Sequence, residues 1–350
     1  MTKLNAIDLF AGAGGLSEGI NQAGINVLLA NEINQDACLT YVYNHPKTII
    51  NQEDIRKVNG KSIKNIFGGI DVVAGGPPCQ GFSLAGKRDP KDPRNKMFKE
   101  FHRVIKELKP NTFVMENVKG LLSFQKGEFV NKIVRHFENI GYNVTVNLLN
   151  ASDFGVPQQR ERVFIIGNVD GKISLDLVKK CKEKVTTKQA LSDLEFLNSG
   201  EEINEYKFKP QTNYQKLMRL SNKLTNHKAS NHSAAVIERF SKIKPGKGIK
   251  SLPLKYQTSK NVLFRLNPEL PSRTVTTLPE DLIHYSKNRI LTVREMARLQ
   301  SFNDKYLFLG PRTTGGDRRK YSCPQYTQVG NAVPPILSKI VFSTINGLIS

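Results

Sequence analysis

The chain lacks most of what marks an exported, membrane-bound or metal-knuckle protein. Its N-terminus, MTKLNAIDLF, has no cationic leader followed by a long apolar stretch and a small-residue cleavage site, so no signal peptide is expected. No run approaches the ~18 apolar residues that a membrane span requires. Cysteines number only four, Cys38, Cys79, Cys181 and Cys323, and none forms a CxxC pair. That argues against a zinc knuckle and against a disulfide framework. His227 and His232 lie close together, but in a basic, Asn-rich stretch that reads as surface, and no metal site is expected. Internal repeats and low-complexity tracts are absent. Acidic residues are scarce, 31 Asp and Glu against 52 Lys and Arg, for a net charge of +21 and a pI near 9.8. An excess of that size suits a polyanionic partner, because each neutralised phosphate releases condensed counterions. A basic surface kept for solubility is the plainer alternative. These absences together describe a soluble intracellular protein.

What is present begins with length. At 350 residues the chain exceeds what one hydrophobic core usually serves, so two domains, or a large domain with an appendage, are expected. The first 170 residues alternate short apolar runs with helical stretches. Ala6 to Phe10 runs into AGAGG, Asn26 to Ala30 into Asn31-Glu32, Asp71 to Ala74 into GGPPC, and Thr112 to Met115 into Glu116-Asn117; Val163 to Ile166 closes the series. This pattern predicts an α/β fold with a doubly wound, mostly parallel sheet. Ligands of such sheets bind beyond the carboxyl ends of the strands, where all four polar or glycine clusters fall. Past residue 182 the texture changes. Residues 207–265 hold fourteen Lys and Arg against one acid, Glu238, with Tyr and Phe interleaved. A loop-rich subdomain gripping nucleic acid accounts for that better than a solvated insert. After Arg289 the α/β texture returns, with a helix at residues 291–299 capped by Thr292 and closed by Glu295.

The glycine cluster DLFAGAGG places a strand end, a tight turn and a helix start in succession. Its GxGG spacing is neither the dinucleotide GxGxxG nor a P-loop, since no Lys-Ser/Thr follows. Glu32 at the next strand end suits a pair of ribose hydroxyls, and Asp54 at the third suits an adenine amino group. A glycine turn with two acids and no phosphate-binding cation favours S-adenosylmethionine over NAD or ATP. Cys79, in GGPPCQGFS, follows two stiffening prolines at a strand end. It precedes residues 84–96, a Gly-, Pro- and cation-rich loop of the kind that closes on a polyanion. The thiolate is the reactive form of such a cysteine, although a lone cysteine is more often inert packing.

Six ordered motifs, DLFAGAGGL, GGPPCQGFS, ENVKGLL, QQRERVFIIG, LTVREMARLQSF and QYTQVGNAVPP, closely resemble those of the DNA cytosine-C5 methyltransferases of bacterial restriction–modification systems. The resemblance spans residues 6 to about 337, apart from the basic insert. It implies a class I AdoMet-dependent methyltransferase domain at residues 1–181, a smaller, loop-rich target-recognition domain at 182–287, and a C-terminal segment, 288–350, completing the first, with a DNA cleft between the domains. The implied activity is that of a DNA (cytosine-5-)-methyltransferase acting on a flipped-out cytosine of a short double-stranded site, with S-adenosyl-L-homocysteine as product. Cytosine C5 is a poor nucleophile, and addition of the Cys79 thiolate at C6 would activate it. Glu116 would hold a proton at N3, for which burial should raise its pKa. Arg162 and Arg160 would place a cation on the base O2 and hold the cysteine loop. Phe10, Gly12, Ala13, Gly14, Gly15, Glu32, Ile33, Asp54, Ile55, Pro78, Asn331 and Ala332 would form the cofactor pocket. Gln80, Ser83, Lys87, Arg88 and Arg94 would contact DNA beside the extruded base. Arg219, Arg239, Arg265 and Arg273 are candidate base readers, because arginine often pairs with guanine. A monomer is implied, working in the bacterial cytoplasm at the nucleoid, with a cognate endonuclease that shares the site but not the complex. Two other readings remain open: a tRNA cytosine methyltransferase, and a DNA-binding regulator that keeps the fold without the chemistry.

Overall fold

The computed structural model describes residues 3–78, 96–258, 262–313 and 321–349. The chain folds into two compact units. The first comprises Met1–Asn150, Glu161–Lys180 and Pro335–Ser350, and the second Ala151–Arg160 and Cys181–Pro334.

The first unit is built on seven strands: β1 (Asn5–Leu9), β2 (Asn26–Asn31), β3 (Ile49–Asn51), β4 (Val72–Gly75), β5 (Thr112–Val118), β6 (Asn143–Asn150) and β7 (Glu161–Asn168). Their spatial order is β3-β2-β1-β4-β5-β7-β6. The first five are parallel, and β7 runs antiparallel between β5 and β6. Residues 163–166 therefore do not close a parallel series, and β6, not among the runs named from the sequence, is the edge strand. Strand order reverses at β1 and β4, the switch point at which doubly wound sheets bind ligands.

Period-two alternation separates the two faces of this sheet. Ile7, Leu9, Val73, Phe113, Met115, Val163 and Ile165 face a core filled by helices α3 (Gly60–Phe67), α4 (Met97–Leu108) and α6 (Glu128–Glu138), with the short α5 (Gly120–Ser123) beside them. Phe113 stacks on Phe137 with ring centroids 4.1 Å apart. Its register partner is Gly167, where a Cβ would lie 2.0 Å from the Phe113 ring, so only glycine admits the stack. On the other face Asp8 meets α1 (Gly15–Gln22) and α2 (Gln35–Asn44) through Ser17 and Tyr41.

In the second unit lie α7 (Thr187–Leu191), α8 (Asn213–Met218), α9 (Ala234–Lys242), the parallel pair β8 (Phe264–Arg265) and β9 (Leu282–Ile283), α10 (Val293–Leu299) and α11 (Gln325–Asn331). Thr292 caps α10, and Glu295 returns the bond to the Thr292 N–H, the capping box read from the sequence. The units do not follow the expected segment boundaries. Residues 288–334 group with the second unit, because buried side chains of α10 form its polar core. Only α12 (Pro335–Ile349) returns to the first unit, where Ser338 Oγ donates to Leu16 O of α1 at 2.7 Å. Residues 325–349, apolar enough to resemble a membrane span, are thus two helices broken at 332–334, and α12 buries one face within its unit.

Candidate active site

At the carboxyl end of β1 the backbone turns sharply. Phe10, Gly12 and Gly14 all have positive φ, 58°, 56° and 90°. A side chain at Gly12 would meet nothing within 4 Å, so open space lies over this turn. Glu32, just past β2, accepts from Gly12 N at 2.9 Å on Oε2 and from Asn34 N at 2.8 Å on Oε1. Burial pushes its pKa up against those bonds. The Ile33 backbone N–H bonds the same carboxylate, so three backbone donors hold it at the rim. Ile33 is exposed beside it.

Asp54 caps a 3-10 turn at Ile55–Lys57, accepts from Arg56 N and pairs with the Arg56 guanidinium, which holds it down at about 2. Ile55 is buried. Two residues given no role of their own from the sequence fix this rim. Asn31 Nδ2 donates to Asn51 O and Glu53 O, and Arg103 of α4 donates to Ile55 O and Val58 O at 2.9 Å. Beneath the glycine turn lies a third, the fully buried Asp8. Ser17 donates to Asp8 Oδ2 at 2.6 Å and accepts from the Tyr41 hydroxyl at 2.7 Å, while Asp8 Oδ1 has no hydrogen-bond partner among the described residues. Burial raises Asp8 to about 7. A polar residue inside an apolar strand was the available signal.

Glu116 and Arg162 meet at the end of β5. Register pairs Glu116 with Phe164, so Arg162, two residues earlier on β7, points to the same sheet face. Arg162 Nε lies 2.8 Å from Glu116 Oε1, and each side chain is 12% exposed. A guanidinium thus faces the half-sealed carboxylate, a partner that the expectation of burial alone did not include. Arg162 Nη1 also donates to Glu161 O. Glu116 Oε2 lies against Gly76, where a Cβ would come within 3.1 Å. Asn117 Nδ2 reaches Pro77 O at 3.4 Å, pinning the chain two residues before Cys79. Pro78 is exposed at the edge of this segment. Cys79, Gln80, Ser83, Lys87, Arg88 and Arg94 lie outside the described residues, as does nearly all of the loop at 84–96.

Several expected site residues serve the second unit instead. Arg160 is 1% exposed, and its Nη atoms donate to Val275 O, Gly330 O and Ala332 O. It is a clamp on the chain near Asn331 and Ala332, not a group offered to a base. Arg265 is a tighter clamp: five bonds of 2.5–2.9 Å run to Ile243 O, His284 O, Lys287 O, Phe240 O and Asn288 Oδ1. Desolvation lowers it to about 10. Arg219 lies 3.6 Å over the Tyr206 ring and donates to Phe208 O. Neither Arg265 nor Arg219 is free to read a base. Arg273 is exposed over Phe264, and Arg239 is half-buried on α9. His227, expected at the surface, is 1% exposed between Thr292 Oγ1 and Leu194 O, and burial lowers it to about 4.

Comparison with known proteins agrees with this geometry. The family model for C-5 cytosine-specific DNA methylase matches residues 4–347. The type II methyltransferase M.DdeI of Desulfomicrobium norvegicum is 40% identical over 98% of this chain and 88% of its own length. M1.HphI of Haemophilus parahaemolyticus is 37% identical over 98% and 86%. A crystal structure titled for a DNA modification methyltransferase encoded within an E. coli prophage superposes with a TM-score of 0.81 at 29% identity, covering 99% of both chains. The S. pombe Dnmt2 methyltransferase, at 18% identity and a TM-score of 0.63 over the full length of both, shares the fold. With the motifs, the sheet order and the Glu116–Arg162 pair all in place, this chain belongs to the C-5 cytosine-specific DNA methylase family.

Proposed function

We propose that Cys79, Glu116 and Arg162 carry the family's reaction, methyl transfer from S-adenosylmethionine to C5 of a cytosine in DNA, through a covalent bond between Cys79 Sγ and C6. The observation that supports this most is the ion pair of Glu116 and Arg162 against Gly76, three residues before Cys79. The thiolate adds to C6, and the displaced ring electrons are held at N3 by a proton from Glu116. Arg162 keeps the Glu116 carboxyl in place, and its Nη2 is left for the O2 carbonyl of the base. The cofactor supplies the methyl group as a sulfonium electrophile, to which C5 becomes nucleophilic once C6 is occupied. Loss of the C5 proton to solvent and expulsion of the Cys79 thiolate then restore the aromatic ring.

The rim of β1, β2 and β3 suits that cofactor. The open space over Gly12 admits a ligand against the backbone of residues 12–15. Glu32, held by backbone donors at the strand end, takes the ribose hydroxyls, and Asp54 with the buried Ile55 borders the adenine side. Phe10, Ala13, Ile33, Pro78, Asn331 and Ala332 complete the assignment. The second unit, with its +13 stretch at residues 207–265, serves as the target-recognition part and grips duplex DNA. Gln80, Ser83, Lys87, Arg88 and Arg94 contact the target, whose cytosine leaves the stack because C6 is unreachable inside it. The chain works as a monomer in the bacterial cytoplasm, modifying a site shared with a cognate endonuclease. Bisulfite sequencing of DNA from a host expressing the chain tests this reading. Complete protection of one cytosine in one short motif is expected; unmodified DNA, with label from AdoMet entering tRNA instead, would overturn it.

A further inference from the structure

The arginines of the second unit fall into two groups. Arg160, Arg219, Arg265, Arg289, Arg294 and Arg298 are committed to internal carbonyls, carboxylates or a ring. Arg239 differs. It lies on α9 on the flank of the helix face formed by Val236, Phe240 and Ile243, which pack into a small apolar core with Leu263, Ile283 and Ile290. Its Nε is shut off from solvent and has no acceptor among the described residues. Glu238, next to it on α9, is already engaged by Lys242 at 3.6 Å and by the Tyr256 hydroxyl at 3.4 Å. A buried donor without a partner is destabilising, and native proteins rarely keep one without a use. The residue as a whole is only half-buried, so the rest of its planar fork can meet acceptors from outside the chain.

We propose that Arg239 is a DNA-contacting residue whose guanidinium takes a pair of adjacent acceptors, either O6 and N7 of a guanine or two oxygens of one phosphate. The inference rests on the second unit being the DNA-gripping part. Of the four candidate arginines it keeps Arg239 and the exposed Arg273, after Arg219 and Arg265 are removed by their own partners. The two sources differ in consequence. A guanine contact sets one base of the target sequence, whereas a phosphate contact sets affinity alone.

The test compares the full-length wild type with Arg239→Gln and Arg239→Lys. Methylation of a randomised duplex library is read by bisulfite sequencing, together with KM for DNA and for AdoMet, the salt dependence of duplex binding, and thermal midpoint. Both variants should raise KM for DNA about tenfold or more while leaving KM for AdoMet and the midpoint unchanged. A guanine contact shows as relaxed preference at one position of the site. A phosphate contact shows as uniform weakening, with the Gln variant reducing the salt slope by about one. Unaltered KM for DNA with an unaltered site preference would overturn the proposal. So would unfolding of both variants, which would make Arg239 a structural clamp like Arg265. Failure of the underlying functional reading is distinct, since the wild type itself would then leave the library unmethylated.

Discussion

Carboxylate–guanidinium pairs occur in both units, and they differ in what surrounds them. In the second unit Arg289 grips both oxygens of Glu295 at 2.7 Å, while Arg298 binds Asp193 and Asp304 at 2.5–3.2 Å, every partner fully buried. Glu295 also closes the capping box, and Arg298 Nη1 reaches Ala190 O, so these groups are saturated with bonds. Burial pushes the Glu295 carboxyl up, but Arg289 beside it holds it well below the usual range. In the first unit Glu116 and Arg162 stay partly open, at the end of a strand, beside a glycine that clears the approach. The same chemistry thus builds a core where both partners are sealed from solvent, and a candidate site where both stay partly exposed.

Substitution separates the two roles. Glu116→Gln keeps the shape but cannot deliver a proton to N3, so kcat should fall by about 10²–10⁴, with the urea midpoint nearly unchanged. A variant that unfolds at lower urea with near-normal kcat would place Glu116 with the structural pairs. Arg298→Met should do the reverse. It takes the close cation from the buried Asp193 and Asp304, leaving them Arg219 and Arg294 at 3.8 and 3.9 Å, and should cost about 3–5 kcal/mol of stability, read as a lower urea midpoint. An unshifted midpoint would show the network to be dispensable.

A smaller effect comes from Asp8, a buried carboxyl hydrogen-bonded to Ser17 and facing the charge of Glu32. Its folded-state pKa, about 7, lies above the ordinary aspartate value of 3.8, because burial disfavours the charged form. The folded chain therefore holds a proton that the unfolded chain releases, and the stabilisation present at acid pH is lost as pH rises from about 4 to 7. The slope is at most about 1.4 kcal/mol per pH unit. Asp8→Asn should abolish that decline, and denaturation curves collected from about pH 4 to 8 check it. Identical slopes in the two proteins would return Asp8 to the ordinary carboxylates.

How much of this was readable in the sequence follows from the range of each signal. The glycine turn, Glu32, the Glu116 strand end and the Thr292 capping box are local patterns, and each stands where spacing placed it. The partners of an arginine are not local. Arg265 and Arg219 carry the same letter as Arg273, yet their acceptors come from carbonyls up to 25 residues away, so composition read them all as available cations. Antiparallel β7 has the same apolar letters as a parallel strand, and the grouping of residues 288–334 depends on ion pairs reaching back to Asp193. The buried His227 was missed for a related reason, because its cover comes from Thr292 and Leu194.

The central claim is that the sulfur of residue 79 bonds to the target ring. A duplex carrying 5-fluorocytosine at the methylated position tests it directly, since fluorine cannot leave C5 as a proton does and the adduct cannot resolve. Incubated with AdoMet and this duplex, the wild type should form a complex that survives denaturing electrophoresis, with the DNA attached at Cys79, and Cys79→Ser should form none. An adduct that persists in Cys79→Ser, or methylation of normal DNA at wild-type rate by that variant, would contradict the account.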